Sequence, residues 1–156
     1  MKRASRAGTS CQSDLLIHLK DLKTESGMQD SVQRGNMVLV VDDQECLRML
    51  LSVFLQRDGF QPLVAADGEE GVSLFRANAD AIACVVVDKS MPGLDGIDMA
   101  RMVRAIKPAV PVIVASGFAA VDVGDLADDP GPTLFIQKPF SPPDLVRMVR
   151  EVLGDL

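Results

Sequence analysis

Short apolar runs alternate with amphipathic segments from residue 37 to the end of the chain. Five runs are rich in branched apolar residues and have the length of buried strands. They are residues 37–41 (MVLVV), 60–66 (FQPLVAA), 81–87 (AIACVVV), 110–115 (VPVIVA) and 133–137 (TLFIQ). Pro62 lies inside the second run, and a strand proline favours an edge position because it lacks an N–H donor.

The segments between these runs carry apolar residues at helical spacing. They predict helices over residues 44–59, 67–80, 97–106 and 141–153. Ser141 is a good N-cap, with Pro142 in the first helical position and Asp144 three residues after the cap. A further segment, residues 118–132, is the weakest candidate helix because Gly124 interrupts it.

Five alternations of a strand with a helical segment predict an α/β fold. Strands that are apolar on both faces are typical of parallel sheets, whose crossover helices cover both sides. The expected architecture is an open, doubly wound five-stranded parallel sheet, (βα)5. Functional groups of such sheets collect at the carboxyl ends of the strands.

Polar residues stand where four of the predicted strands end. The first strand ends in Asp42 and Asp43, the third in Asp88, the fourth in Ser116 and the fifth in Lys138. In a parallel sheet these side chains meet at one edge. Each of them alone has an ordinary explanation as a helix cap, a turn residue or a solvated lysine. Their coincidence at strand ends is much harder to explain in that way.

A site of this composition suits phosphoryl transfer. Three converging carboxylates repel one another, and Mg²⁺ prefers oxygen ligands of this kind. A free carboxylate can accept a phosphoryl group as an aspartyl phosphate. The ammonium of Lys138 and the hydroxyl of Ser116 would neutralise and bind the transferred group.

The composition of the chain argues against several classes of function. The chain has 156 residues and a net charge of −6, and residues 37–156 carry ten Lys/Arg against eighteen Asp/Glu. Such an acidic body argues against direct nucleic-acid binding, and no apolar run is long enough to span a membrane. Cys11, Cys46 and Cys84 have no metal-ligand spacing and suit reduced thiols in the cytoplasm. His18, the only histidine, excludes a histidine-rich metal site.

The first 36 residues differ from the rest. They are rich in Ser, Lys, Gln and Gly and carry six Lys/Arg against four Asp/Glu. This composition predicts a polar tail or linker, with a short helix after Ser13 as the alternative. The division expected is therefore a tail over residues 1–36 and a single folded domain over residues 37–156.

Four motifs give the folded part a family resemblance. "VLVVDD", "VVVDKSMPGLDG", "PVIVASG" and "FIQKPF" follow one another over residues 38–140. With them, residues 37–156 resemble the receiver domain of two-component response regulators, of the chemotaxis-receiver type with a flavodoxin-like fold. The resemblance implies that Asp88 accepts the phosphoryl group. It also implies that Asp42, Asp43 and Asp88 hold Mg²⁺ with the backbone carbonyl of Ser90, Asp43 being favoured as a direct ligand.

Further roles follow from the same resemblance. Ser116 and Lys138 would bind the phosphoryl group, the Lys138–Pro139 peptide would be cis, and Phe135 would be the aromatic switch residue. Lys89 places a charge where an apolar residue is usual, and Phe118 would lie near the phosphate entrance.

The resemblance also implies partners. A histidine kinase or histidine phosphotransfer protein would be the phosphoryl donor and would contact Gln44, Leu47, Arg48 and the loop of Phe140. Signalling would run through protein contacts of residues 118–132, the fifth strand and the last helix, including a phosphorylation-dependent dimer, rather than through an enzymatic activity.

Several alternatives stay open. No effector domain follows the last helix, which favours a stand-alone receiver over the terminal receiver of a hybrid sensor histidine kinase. A haloacid-dehalogenase-type phosphatase would carry an acid at Ser90, two residues after the nucleophile. A pseudo-receiver would lack part of the acid, serine and lysine set. A flavodoxin-like cofactor binder would need a phosphate-binding loop after the first strand.

Overall fold

The computed structural model describes residues 35–117, 126 and 128–154. Nine elements follow one another in this part of the chain. They are β1 (Met37–Val41), α1 (Glu45–Arg57), β2 (Gln61–Ala65), α2 (Gly68–Asn78), β3 (Ile82–Asp88), α3 (Gly96–Ile106), β4 (Val112–Ser116), β5 (Thr133–Gln137) and α4 (Pro142–Leu153).

The five strands form one parallel sheet in the order β2-β1-β3-β4-β5. This confirms the predicted fold class. Pro62 lies on β2, opposite Val38 of β1, and β2 is an edge strand of the sheet as predicted. Since β1 and β3 are flanked by strands on both sides, the acids that end them lie near the middle of the sheet edge.

Alternate residues of the central strands feed two separate apolar cores. Leu39 and Val41 pack into a cluster that includes Phe75 of α2. Their neighbours Val38 and Val40 pack into a second cluster, on the other face, with residues of α1 and α4. Burial of both faces explains why these strands contain almost no polar residue before their ends.

Local signals fix the helix boundaries. The Asp67 side chain accepts a hydrogen bond from the Glu70 amide at the start of α2, and the Ser141 side chain accepts one from the Asp144 amide at the start of α4. Gly59 has φ +93° just after α1, which explains why a glycine ends that helix.

The start of β4 differs most from its apolar pattern. β4 begins at Val112, two residues after the start of the apolar run. The Val110 amide donates to the Lys107 carbonyl in a turn, and Pro111 has no N–H to contribute to a ladder. The apolar run therefore includes two residues that precede the strand.

Some predictions lie outside the described residues. These are the tail with its candidate helix, Cys11, His18, Phe118 and most of the weak helical segment over residues 118–132. The domain boundary at residue 36 stays a prediction. Among the helices that the structure describes, none combines the length and the apolar character needed to cross a bilayer.

Candidate functional site: an acid cluster bridged by a lysine

The polar residues at the strand ends meet at one edge of the sheet. Asp88 pairs with Ala115 in the β3–β4 ladder, and Ser116 pairs with Gln137, the residue before Lys138. Asp42 directly follows β1, and its amide still donates to the carbonyl of Ala65. Strand register thus brings together the residues that the sequence places at strand ends.

Lys138 bridges two buried carboxylates. Its Nζ lies 3.0 Å from Asp42 Oδ2 and 3.1 Å from Asp88 Oδ2. Asp42 is 4% exposed and Asp88 6% exposed, so water screens these charges poorly. The Lys138 amide also donates to the Ser116 carbonyl at 2.7 Å. One residue therefore contacts the ends of three strands, and its peptide bond to Pro139 is cis, as expected.

Three carboxylates form a compact cluster. Asp42, Asp43 and Asp88 each offer an oxygen, and these three oxygens lie within 4.8 Å of one another. Asp42 Oδ1 accepts a hydrogen bond from the Gln44 amide (2.8 Å), while Asp43 is exposed. An all-oxygen donor set with one exposed member fits a hard divalent cation that retains several water ligands, as Mg²⁺ does.

The electrostatics of the cluster are only partly balanced. Burial raises the pKa of Asp88 above its usual value; the hydrogen bond and charge of Lys138 oppose the rise, and the charge of Asp42 adds to it. Burial lowers the pKa of Lys138, but the hydrogen bonds and charges of Asp42 and then Asp88 outweigh it, so that this pKa is raised. Lys138 is therefore protonated, and its single positive charge neutralises only part of the charge of the three acids.

A tightly folded loop holds Asp88 in place. The Lys89 amide donates to the Ala115 carbonyl (2.8 Å), and the Gly96 amide donates to the Lys89 carbonyl (3.0 Å). A Cβ at Gly96 would lie 2.3 Å from the Asp88 carbonyl oxygen, so only glycine fits there. Sequence reasoning missed this role, although the Gly-Leu-Asp-Gly turn at residues 93–96 was the available signal.

The remaining predicted site residues differ in how directly they contact the acid cluster. The Ser90 amide donates to Asp88 Oδ1 (3.2 Å), so Ser90 lies directly beside the Asp88 carboxylate. Ser116 is buried at 2% exposure, and Lys89 is half-buried. Phe135 is partly buried against the apolar cluster of α2 and α3. Ser90 is thus shown beside Asp88, Phe135 is shown only to pack against the apolar core, and the individual roles of these residues stay predictions.

Comparison with known proteins decides the family. The family model described as "Response regulator receiver domain" matches residues 38–150 of the chain. The chain belongs to this family. The receiver-domain resemblance seen in the four sequence motifs is thereby confirmed.

Curated relatives of this receiver domain are response regulators. It is 38% identical over 117 residues to the transcriptional regulatory protein CseB of Streptomyces avermitilis, covering 74% of the chain and 48% of that protein. It is 32% identical over 119 residues to the transcriptional regulatory protein SrrA of Staphylococcus aureus, covering 76% of the chain and 48% of that protein. The chain spans about half the length of the curated relatives it matches.

Solved receiver structures share the fold. A receiver domain protein from Clostridium thermocellum superposes with a TM-score of 0.68 at 30% identity, over 76% of this chain and 94% of that one. The Thermotoga maritima response regulator TrrA, solved in complex with Mg²⁺ and BeF, superposes with a TM-score of 0.65 at 27% identity, over 76% and 99% of the two chains.

Proposed function

We propose that this receiver domain accepts a phosphoryl group on Asp88 from a phosphohistidine of a histidine kinase or a histidine phosphotransfer protein. The observation that carries the proposal is the position of Lys138, whose ammonium lies between the carboxylates of Asp42 and Asp88 at the edge of the sheet. A binding module with no phosphoryl chemistry has no need of a buried acid beside two more acids and a lysine.

The proposed transfer is an in-line displacement. A carboxylate oxygen of Asp88 forms a bond to phosphorus while the bond from phosphorus to the histidine nitrogen breaks. The nitrogen keeps the electron pair, and the product is an acyl phosphate on Asp88. Lys138 and Ser116 would bind the phosphoryl oxygens. Mg²⁺, held by Asp43, Asp42, Asp88 and the carbonyl of Ser90, would supply further charge neutralisation.

The proposed signal is a change in protein contacts. The phosphoryl group would draw Ser116 and Lys138 toward itself, and Lys138 is already joined through its amide to the Ser116 carbonyl. Phe135, on the strand that leads to Lys138, would turn inward and alter the surface around β5 and α4. Such a change would alter the affinity for a downstream protein or for a second copy of the chain by about 1–3 kcal/mol.

The residues present argue against two rivals. A dehalogenase-type phosphatase needs a general acid two residues after its nucleophile, where this chain has Ser90. A pseudo-receiver loses part of the site, whereas all its members are present here and lie together. The free thiols of Cys46 and Cys84 suit the cytoplasmic location that a kinase partner requires.

Labelling with acetyl phosphate tests the proposal directly. The wild-type chain should incorporate phosphate only with Mg²⁺ present, Asp88→Asn should incorporate none, and Lys138→Met should incorporate much less. Asp98→Asn is the matched control because Asp98 is an exposed acid on α3. Incorporation into Asp88→Asn at the wild-type level would refute the assignment of the acceptor.

A second experiment tests the signal. Mg²⁺ with beryllium fluoride mimics the phosphorylated state, and the TrrA neighbour was solved in complex with these components. Adding them should change the elution volume on size exclusion or the fluorescence of a probe attached to α4. The Asp88→Asn variant should show neither change.

A further inference from the structure

Four separate hydrogen bonds hold Asp42, which opens the loop between β1 and α1. Its amide donates to the Ala65 carbonyl (3.2 Å), and its carboxylate accepts from the Gln44 amide (2.8 Å) and Lys138 (3.0 Å). Its carbonyl oxygen accepts a hydrogen bond from Arg48 Nη1 at 2.6 Å. Only the Arg48 contact comes from within a helix, whereas the others come from β2, from the loop and from the lysine that follows β5.

The carbonyl that Arg48 contacts belongs to the peptide unit joining Asp42 to Asp43. A peptide unit is planar, so fixing its oxygen also fixes the direction in which the backbone enters Asp43. The Asp43 side chain is exposed and makes no hydrogen bond or ion pair to the residues that the structure describes. The backbone contact from Arg48 is therefore a principal constraint on this acid.

Arg48 is well placed to act as a fixed support. It lies one turn before the fully buried Leu51 in α1, its amide donates to the Gln44 carbonyl (3.1 Å), and its carbonyl accepts from Ser52 Oγ (2.8 Å). A guanidinium–carbonyl hydrogen bond is charge-assisted and stronger than a neutral one. A rigid helix thus supports the loop that carries two of the three acids.

We infer that Arg48 is a positioning residue for the acid cluster, setting the affinity of the site for Mg²⁺ through the peptide between Asp42 and Asp43. This inference rests on the proposed function. Outer partners that orient metal ligands change metal affinity by roughly tenfold or more when removed. The direction of the change in Mg²⁺ affinity on removal of Arg48 distinguishes positioning from charge. A nearby cation repels Mg²⁺, so if charge alone mattered, removing Arg48 would strengthen Mg²⁺ binding.

Four variants separate positioning from charge. Arg48→Met removes both the charge and the donor, Arg48→Gln removes the charge and keeps a shorter donor, and Arg48→Lys keeps both with altered geometry. Arg76→Met is the control, since it removes the same charge from an exposed site in the last turn of α2, toward the opposite end of the sheet. Mg²⁺ affinity is measured by titration, and thermal unfolding without Mg²⁺ shows whether each variant is folded.

A metal-free measurement accompanies the titration. The Gln44 amide donates to Asp42 Oδ1, so its hydrogen exchange reports the order of the loop directly. We expect Arg48→Met to bind Mg²⁺ roughly tenfold more weakly, with Arg48→Lys between it and wild type and Arg76→Met unchanged. We also expect faster exchange at Gln44 in Arg48→Met without Mg²⁺.

Opposite results would overturn the inference. Stronger Mg²⁺ binding in both Arg48→Met and Arg48→Gln would show that charge repulsion decides the affinity. Unchanged exchange at Gln44 in a folded Arg48→Met would show that the loop does not depend on this contact. Absence of Mg²⁺ binding by the wild-type chain would refute the proposed function instead, and the exchange measurement would still decide the role of Arg48.

Discussion

Replacing Asp88 with Asn should stabilise the metal-free protein. Asp88 is buried beside Asp42, and burial raises its pKa despite the ammonium of Lys138 3.1 Å away. The folded state therefore binds a proton at Asp88 more tightly than the unfolded state does. At neutral pH the ionised side chain costs stability, and a neutral side chain of the same shape removes that cost.

The size of the gain follows from the geometry. Three carboxylates and one ammonium give the cluster a net charge of −2, and Asp88→Asn reduces it to −1 while leaving the 3.0 Å contact of Lys138 with Asp42. The ammonium of Lys138 already offsets part of the cost of burying the Asp88 carboxylate, so the gain is smaller than for an unpaired buried charge. We therefore expect a gain on the order of 1 kcal/mol, or about 4 °C in the melting temperature.

Mg²⁺ should reverse the order of stability. A ligand at ten times its Kd stabilises the folded state by about 1.4 kcal/mol, and this term should be present in the wild type and strongly reduced in Asp88→Asn. Urea unfolding at pH 7.5, with and without Mg²⁺, measures both effects. Below the ordinary Asp value of 3.8, Asp88 is protonated in both states, so the metal-free difference should vanish there.

Two results would contradict this reasoning. A metal-free Asp88→Asn that is less stable than wild type at pH 7.5 would show that the bond to Lys138 outweighs burial and repulsion. A stability difference that persists unchanged at low pH would show that it does not arise from ionisation of Asp88.

Three further predictions concern residues outside the acid cluster. Gly96→Ala should lower the free energy of unfolding by about 1–3 kcal/mol and reduce phosphate labelling, because its Cβ would collide with the Asp88 backbone. Arg104→Met should lower the free energy of unfolding by about 3 kcal/mol, since its buried guanidinium donates to two backbone carbonyls and pairs with Asp129. Urea unfolding measures both losses. Iodoacetamide at pH 8 should label the exposed Cys46 but not Cys84, whose pKa is raised to about 12 by burial; mass spectrometry of the peptides measures the labelling.

Each of these predictions has a control. Gly117→Ala has open space for its Cβ and should change stability little. Arg101→Met removes an exposed arginine that pairs with Asp98. This exposed ion pair contributes no more than about 0.5 kcal/mol to the free energy of unfolding. Unfolded protein should react with iodoacetamide at Cys84 as well as at Cys46. The Gly96 prediction is contradicted if Gly96→Ala is as stable as wild type. The Arg104 prediction is contradicted if Arg104→Met and Arg101→Met lose equal free energies of unfolding. The cysteine prediction is contradicted if Cys84 is labelled in the folded protein.

The order of the strands along the chain and the residues that end them could be predicted from the sequence. Branched apolar runs identify strands, and parallel pairing forces their ends to one edge, so the proximity of Asp42, Asp88 and Lys138 followed from topology alone. The cap at Ser141 was also predictable, because capping depends on residues only three apart.

Contacts between elements could not be predicted in this way. Arg101 and Arg104 look alike in the sequence of α3, yet Arg104 is buried and Arg101 is exposed. The difference depends on where the loop before β5 returns to the helix, as shown by the 2.7 Å bond to the Pro132 carbonyl. The bond from Arg48 to the Asp42 carbonyl likewise depends on the angle at which α1 leaves the sheet.

The two ends of the sheet use charge in different ways. At the amino ends of the strands, Arg104 and Lys107 donate hydrogen bonds to backbone carbonyls of the turns and strands around them. These two cations therefore stabilise the backbone there. At the carboxyl ends, acids outnumber the one lysine that bridges them. The contacts that stabilise the turns therefore lie at the amino ends of the strands, and the proposed chemistry lies at their carboxyl ends. Substitutions meant to raise the melting temperature should therefore be made at the amino ends of the strands, where they leave the acid cluster unchanged.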